Sequence, residues 1–162
     1  MIAFRQHFLS FMVDKTSGIY TKLFKKNSLR WNLTKLDLKH YEPNTLGYQL
    51  YQFLEEKNID LMPKHESHDL FHVITGYDIS GIEECRLQFF LLGNGKRSIY
   101  LLISLAMAII LFPEKIKDFN MHKNRGKRAN QFYDWDFENL LHQNFETIKY
   151  KIYNHENVPT PR

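Results

Sequence analysis

The chain has 162 residues, 43% hydrophobic and 25% charged, which is enough apolar material for one domain with a true core. A formal net charge of +4 and a pI near 9.1 suit an anionic surface or ligand and are too small to mark a nucleic-acid binder. One cysteine, Cys85, excludes an internal disulfide. Arg5, Gln6 and His7 interrupt the early apolar residues, so no secretory signal is expected.

Residues 2–26 carry Phe4, Phe8, Phe11, Met12, Ile19, Leu23 and Phe24 at helical spacing, with Gly18 as a break point. Lys22, Lys25 and Lys26 crowd the end, where cations complement the helix dipole. A membrane-surface anchor fits this pattern; a helix packed on the core fits it better. Residues 27–44 read as irregular, with Asn27, Ser28, Asn32, Pro43 and Asn44 as breakers. A helix capped by Asn44 or Thr45 then runs to Lys57, with Leu46, Leu50, Phe53 and Leu54 on one face. Gly47 in its first turn points to close packing there.

A linker over residues 58–67 leads to Ser67, the expected N-cap of a helix that ends near Gly76. Residues 79–92 continue helically to the turn Gly93-Asn94-Gly95. Ser98 to Phe112 is almost wholly apolar, yet shorter than the roughly 20 residues a membrane span needs. It reads as a helix buried at the centre of the domain, or as the wall of a tunnel for a lipid tail. Lys123, Arg125, Lys127 and Arg128 follow, and a solvated basic face is the expectation for Lys123 and Lys127. A last helix is expected from Asp136 to Tyr153, and residues 155–162 as a frayed tail. The absence of β-alternation gives an all-α fold, one multi-helix domain over residues 1–162.

The chemistry concentrates in His68-Asp69-Leu70-Phe71-His72 and in Glu84, twelve residues further on. His68 and His72 stack on one face of a helix, flanked by Asp69, while Leu70, Phe71, Val73 and Ile74 cover the other directions. Buried imidazoles and carboxylates are costly unless paired or metal-bound. Glu84 can complete the set from the next helix if the chain returns antiparallel after Gly76. Two imidazoles with carboxylates suit a divalent metal, zinc first and iron or manganese as alternatives. Asp69 is then a ligand, a partner that orients an imidazole, or a general base. The plain alternative is a hydrogen-bonded structural cluster without metal. Cys85 points away from Glu84 and belongs to the core, and His7, His40 and His65 lack comparable partners.

The pattern His-Asp, two residues, His, eleven residues, Glu resembles the hallmark of the Coq-four family of ubiquinone biosynthesis proteins. Pro43-Asn44-Thr45-Leu46-Gly47 with Tyr51-Gln52-Phe53-Leu54, the glycine at Gly76, and Gly126-Lys127-Arg128-Ala129 with Phe137-Glu138 resemble further family positions. The likeness covers residues 43–152. It implies a helical domain with an apolar tunnel for a polyprenylated aromatic ligand, and a metal site of His68, Asp69, His72 and Glu84. Asp69 and Glu84 would be catalytic, and Arg128 would meet an anionic head group. The activity implied is metal-dependent decarboxylation, with hydroxylation at the same ring carbon, of a hydroxybenzoate-like precursor. A non-catalytic isoprenoid-binding scaffold is the alternative, and a His-Asp metal phosphohydrolase a weaker third reading. The partners implied are an isoprenoid lipid, a membrane surface, a homodimer mate and a quinone-biosynthesis complex, without nucleic acid. The expected location is cytoplasmic and peripheral on the inner (plasma) membrane, or on the mitochondrial inner membrane in a eukaryote.

Overall fold

In the computed structural model, Arg5 and residues 31–154 are described, and the regular elements among them are all helical, with no strand. The helices are α1 (Lys35–Leu38), α2 (Leu46–Glu56), α3 (Glu66–Thr75), α4 (Gly81–Gly93), α5 (Ile99–Leu111), α6 (Ile116–Arg128) and α7 (Phe145–Tyr153). Short 3-10 turns lie at Pro113–Lys115 and Glu138–Leu140. This is the all-α fold the sequence predicts. The 2–26 helix, except for Arg5, and the 155–162 tail lie outside the described residues.

Thr45 caps α2 as expected, its hydroxyl accepting from the Tyr48 N–H. Leu46, Leu50 and Leu54 on the inner face of α2 are wholly buried. The first turn of α2 is tied to the start of α7: Leu46 N–H donates to Gln143 O at 2.9 Å and Gly47 N–H to Leu141 O at 2.9 Å. Those bonds explain a departure from expectation, because the predicted 136–153 helix is broken. The carbonyls of Leu141 and Gln143 serve α2 instead of a continuing helix, and Asn144 restarts the chain as the N-cap of α7.

The start of α3 also differs. Its N-cap is His65 rather than Ser67. Glu66 is buried and accepts the Trp31 N–H at 3.3 Å, which draws the helix start forward by two residues.

The closest helix crossing places α4 against α6. A methyl group on Gly93 would collide with the Lys123 carbonyl oxygen, and one on Gly126 with the Phe90 carbonyl oxygen. Only glycine lets the two backbones approach this far. Asn94 locks the crossing: its Nδ2 donates to Asn130 O at 2.9 Å and its Oδ1 accepts from Phe132 N–H at 3.0 Å. Because α4 carries Glu84, this contact fixes the height of the carboxylate over α3.

Two buried clusters result. The larger joins α2, α3, α4 and α7 through residues such as Leu50, Leu70, Phe90, Phe132, Phe137 and Ile148. The smaller lies between α4, α5 and α6 and holds Cys85, Phe89, Leu101, Leu105, Phe112 and Phe119. The expectation of a centrally buried 98–112 helix is corrected here. α5 packs on α4 with Leu101, Leu105 and Ala108, while Leu102, Ile103 and Ile110 on the opposite face are exposed. An apolar surface all round does not place a helix at the centre when only one side meets a neighbour.

Candidate metal centre

α3 presents His68 and His72 one turn apart, and α4 returns alongside with Glu84 facing them. The return depends on Gly76, which ends α3 in the left-handed region at φ 75° and donates its N–H to His72 O at 2.8 Å. The reversal brings the next carbonyl, that of Tyr77, to 3.0 Å from His72 Nδ1. A carbonyl oxygen only accepts, so Nδ1 carries a proton and Nε2 is the nitrogen that faces Glu84, free to offer a lone pair to a metal or a second N–H to the carboxylate. The His72 ring is further held by stacking on Phe53, with centroids 5.8 Å apart.

Three ligand-type atoms converge. His68 Nε2 lies 3.2 Å from His72 Nε2, His68 Nε2 lies 3.4 Å from Glu84 Oε2, and His72 Nε2 lies 3.2 Å from Glu84 Oε2. Metal–ligand bonds of about 2.0–2.1 Å in tetrahedral geometry place ligand atoms about 3.3 Å apart. The triangle therefore has the edge length of a cation-sized site. Among the described residues these three form the group able to hold a metal ion. The second carboxylate oxygen is also fixed: Gln88 Nε2 donates to Glu84 Oε1 at 2.6 Å from a buried position one turn along α4.

The charges are set by the same contacts. Burial would raise the Glu84 pKa, but the charges and hydrogen bonds of His68 and His72 outweigh it and hold the carboxyl well below its ordinary range. Burial lowers His68 despite the pull of Glu84. Burial also acts to lower His72, yet the hydrogen bond and charge of Glu84, with the Tyr77 carbonyl, raise it overall. The site thus keeps an ionised carboxylate facing two imidazole nitrogens, a donor set suited to zinc and compatible with iron or manganese.

No family model and no curated protein sequence matches the chain. Among solved structures, a crystal structure of a Nostoc punctiforme protein, provisionally described as a ubiquinone biosynthesis protein, matches with a TM-score of 0.64. Identity is 18%, and the match covers 91% of this chain and 82% of that one. The two proteins share a fold.

The predicted site residues separate into those that meet and those that do not. His68, His72 and Glu84 come together. Asp69 stays outside the triangle: it takes a backbone hydrogen bond from Met62, and its Oδ2 has no partner. Burial pushes its pKa up to about 7, only partly offset by His72. The converging ligand atoms therefore do not include the Asp69 carboxylate. Arg128 is exposed at the end of α6, on a surface groove with Lys117, Met121 and Lys127, away from the triangle. Cys85 is buried in the smaller core, where burial pushes its thiol up to about 12, and it is not among the converging ligand atoms.

Several contributors escaped the sequence reading. Gln88 stands four residues after Glu84, a spacing that could have flagged it. Tyr77 gave no such signal, because it acts on His72 through its backbone. Its phenol, raised to about 12 by burial, stays protonated and donates to His122 Nδ1 at 2.6 Å. Arg125, rather than Arg128, turns inward, with its guanidinium over the Tyr77 and Phe90 rings at 5.5 and 5.9 Å. An open groove of about 870 Å³ runs along α2 and reaches His72, with Tyr48, Tyr51, Phe53 and Phe145 among its walls. Glu55, Lys57 and Asp78 also line it, so this groove is mixed in character rather than an enclosed apolar tunnel.

Proposed function

We propose that the protein is a metal-dependent enzyme of ubiquinone-type biosynthesis that acts at the ring carboxyl carbon of a polyprenylated hydroxybenzoate. The observation that carries this reading is the triangle of His68 Nε2, His72 Nε2 and Glu84 Oε2 at 3.2–3.4 Å. The spacing of the motif resembles the Coq-four pattern, and the shared fold with the Nostoc protein supports the same direction.

In this reading His68, His72 and Glu84 hold the cation, Gln88 and the Tyr77 carbonyl orient them, and the groove beside His72 takes the aromatic ring. A bound divalent cation supplies Lewis-acid stabilisation of the negative charge that builds as the carboxyl group leaves. Asp69, a carboxyl buried beside His72, would hold or yield the proton in this reading. The protein would work at a membrane surface within a quinone-biosynthesis assembly.

A second reading has one observation in its favour. The triangle can also close by hydrogen bonds alone, with His72 protonated against Glu84, which suits a non-catalytic isoprenoid-binding scaffold. The two readings part in one experiment. Full-length protein reconstituted with zinc, iron or manganese is incubated with a prenylated hydroxybenzoate, and loss of the carboxyl group is followed by mass spectrometry. The enzyme reading expects turnover that disappears in Glu84→Gln and His72→Asn variants whose circular dichroism is unchanged. Turnover equal in the variants, or none with any of the metals, removes it.

A further inference from the structure

Helix α5 presents a second surface that the metal centre does not use. Ile99, Leu102, Ile103, Ala106, Ile109 and Ile110 lie on its outer side, within an arc of about 120° at 100° per residue. Exposure of the large side chains in this stripe runs from 43% at Ile109 to 71% at Ile110. The opposite side, with Leu101, Leu105 and Ala108, is already committed to the smaller core.

The charges around the stripe are cationic. Arg97 is exposed at the N-terminal end, and Lys117 is exposed just beyond the C-terminal end. No acidic residue occurs between Glu84 and Glu114. The nearest acids are already paired: Glu114 with Arg5 at 2.9 Å and Asp118 with Arg86 at 2.9 Å. In a two-fold pairing of α5 with a second copy, parallel or antiparallel, a cationic end of one helix meets a cationic end of the other. An anionic lipid surface meets both ends favourably.

The dimensions fit a helix lying in the plane of a membrane. From Ile99 to Ile110 the stripe is about 16 Å long at 1.5 Å per residue. No described helix is long and apolar enough to cross a bilayer, and the chain bends by 104° between α5 and the segment that follows. We propose that the outer face of α5 docks this protein on an anionic bilayer, with its isoleucines seated at the boundary between headgroups and acyl chains. This assigns a surface to the membrane contact named in the proposed function, and it rests on the α5 face and not on the metal centre.

The test uses full-length protein sedimented with vesicles of phosphatidylcholine alone or mixed with phosphatidylglycerol. Binding to the mixed vesicles is expected, weakened by salt and unaffected by chelator. Each buried isoleucine contributes on the order of tenfold in partitioning, so an Ile103→Asp, Ile110→Asp double variant is expected to lose about a hundredfold. A charge-reversed Arg97→Glu, Lys117→Glu variant is expected to lose the preference for phosphatidylglycerol. As a measurement that does not depend on the aspartate variants folding, an Ile110→Trp variant is expected to shift its emission to the blue on mixed vesicles. No binding by the unmodified protein, or unchanged binding by the double aspartate variant, overturns the proposal. So does a tryptophan emission that vesicles leave unmoved. Loss of binding in Phe8→Asp, Phe11→Asp with retention in the α5 variant assigns docking to the N-terminal segment instead. A dimer that the α5 variant converts to monomer, with no vesicle binding, assigns the face to a second copy. Either result overturns the proposal.

Discussion

Replacing Gln88 with leucine isolates the support under Glu84 without touching a ligand atom. Gln88 is buried, its Nε2 lies 2.6 Å from Glu84 Oε1, and leucine keeps a similar volume while removing the donor. A hydrogen bond to an ionised acceptor contributes about 1.5–3 kcal/mol, and losing it leaves one carboxylate oxygen unpaired in a site where the Glu84 side chain is only 16% exposed. At about 1.4 kcal/mol per factor of ten, zinc affinity should fall roughly 10–100-fold, the range expected for groups that orient metal ligands. Competition against a chromophoric chelator with full-length protein measures it, and urea denaturation of chelator-treated protein gives the cost without metal. If Gln88→Leu binds zinc as tightly as the unmodified chain, Gln88 does not position Glu84 and the reasoning fails.

Asp69 predicts a pH effect. Its folded pKa of about 7 lies above the unfolded value of 3.8, so its contribution is fully present below the unfolded value and is lost as pH rises through about 7. In chelator-treated protein, Asp69→Asn should gain on the unmodified chain between about pH 5 and pH 8, by at most about 3 kcal/mol. A stability gap that is the same at both pH values contradicts the burial argument. Gly126→Ala forces a methyl against the Phe90 carbonyl, a backbone atom that cannot swing aside. It should cost about 3 kcal/mol, or roughly 6–12 °C in the thermal midpoint; an unchanged midpoint would mean that α4 and α6 can separate freely.

The helices that could be read from the sequence were those with local signals. Thr45 capped α2 as its side chain dictates, Ser80 precedes α4, and the Gly93-Asn94-Gly95 turn closes it. The His68 and His72 pair was legible because an i, i+4 spacing on a helix settles which side chains share a face. Its meeting with Glu84 was legible only as a condition on the turn at Gly76. What was not legible depended on contacts far along the chain. The break before α7 arises from hydrogen bonds to α2, and the start of α3 from Glu66 reaching Trp31. The peripheral place of α5 could not follow from its composition, because leucine and isoleucine on every side fit a central helix equally well. Tyr77 acts on His72 through a carbonyl, which every residue has, so its identity carried no signal.

The most direct test of the account is the metal content of full-length protein purified without added metal and measured by elemental mass spectrometry. The account predicts about one divalent ion per chain, and its loss in His72→Ala and in Glu84→Ala while both remain helical by circular dichroism. Equal metal content in the unmodified chain and both variants would contradict it.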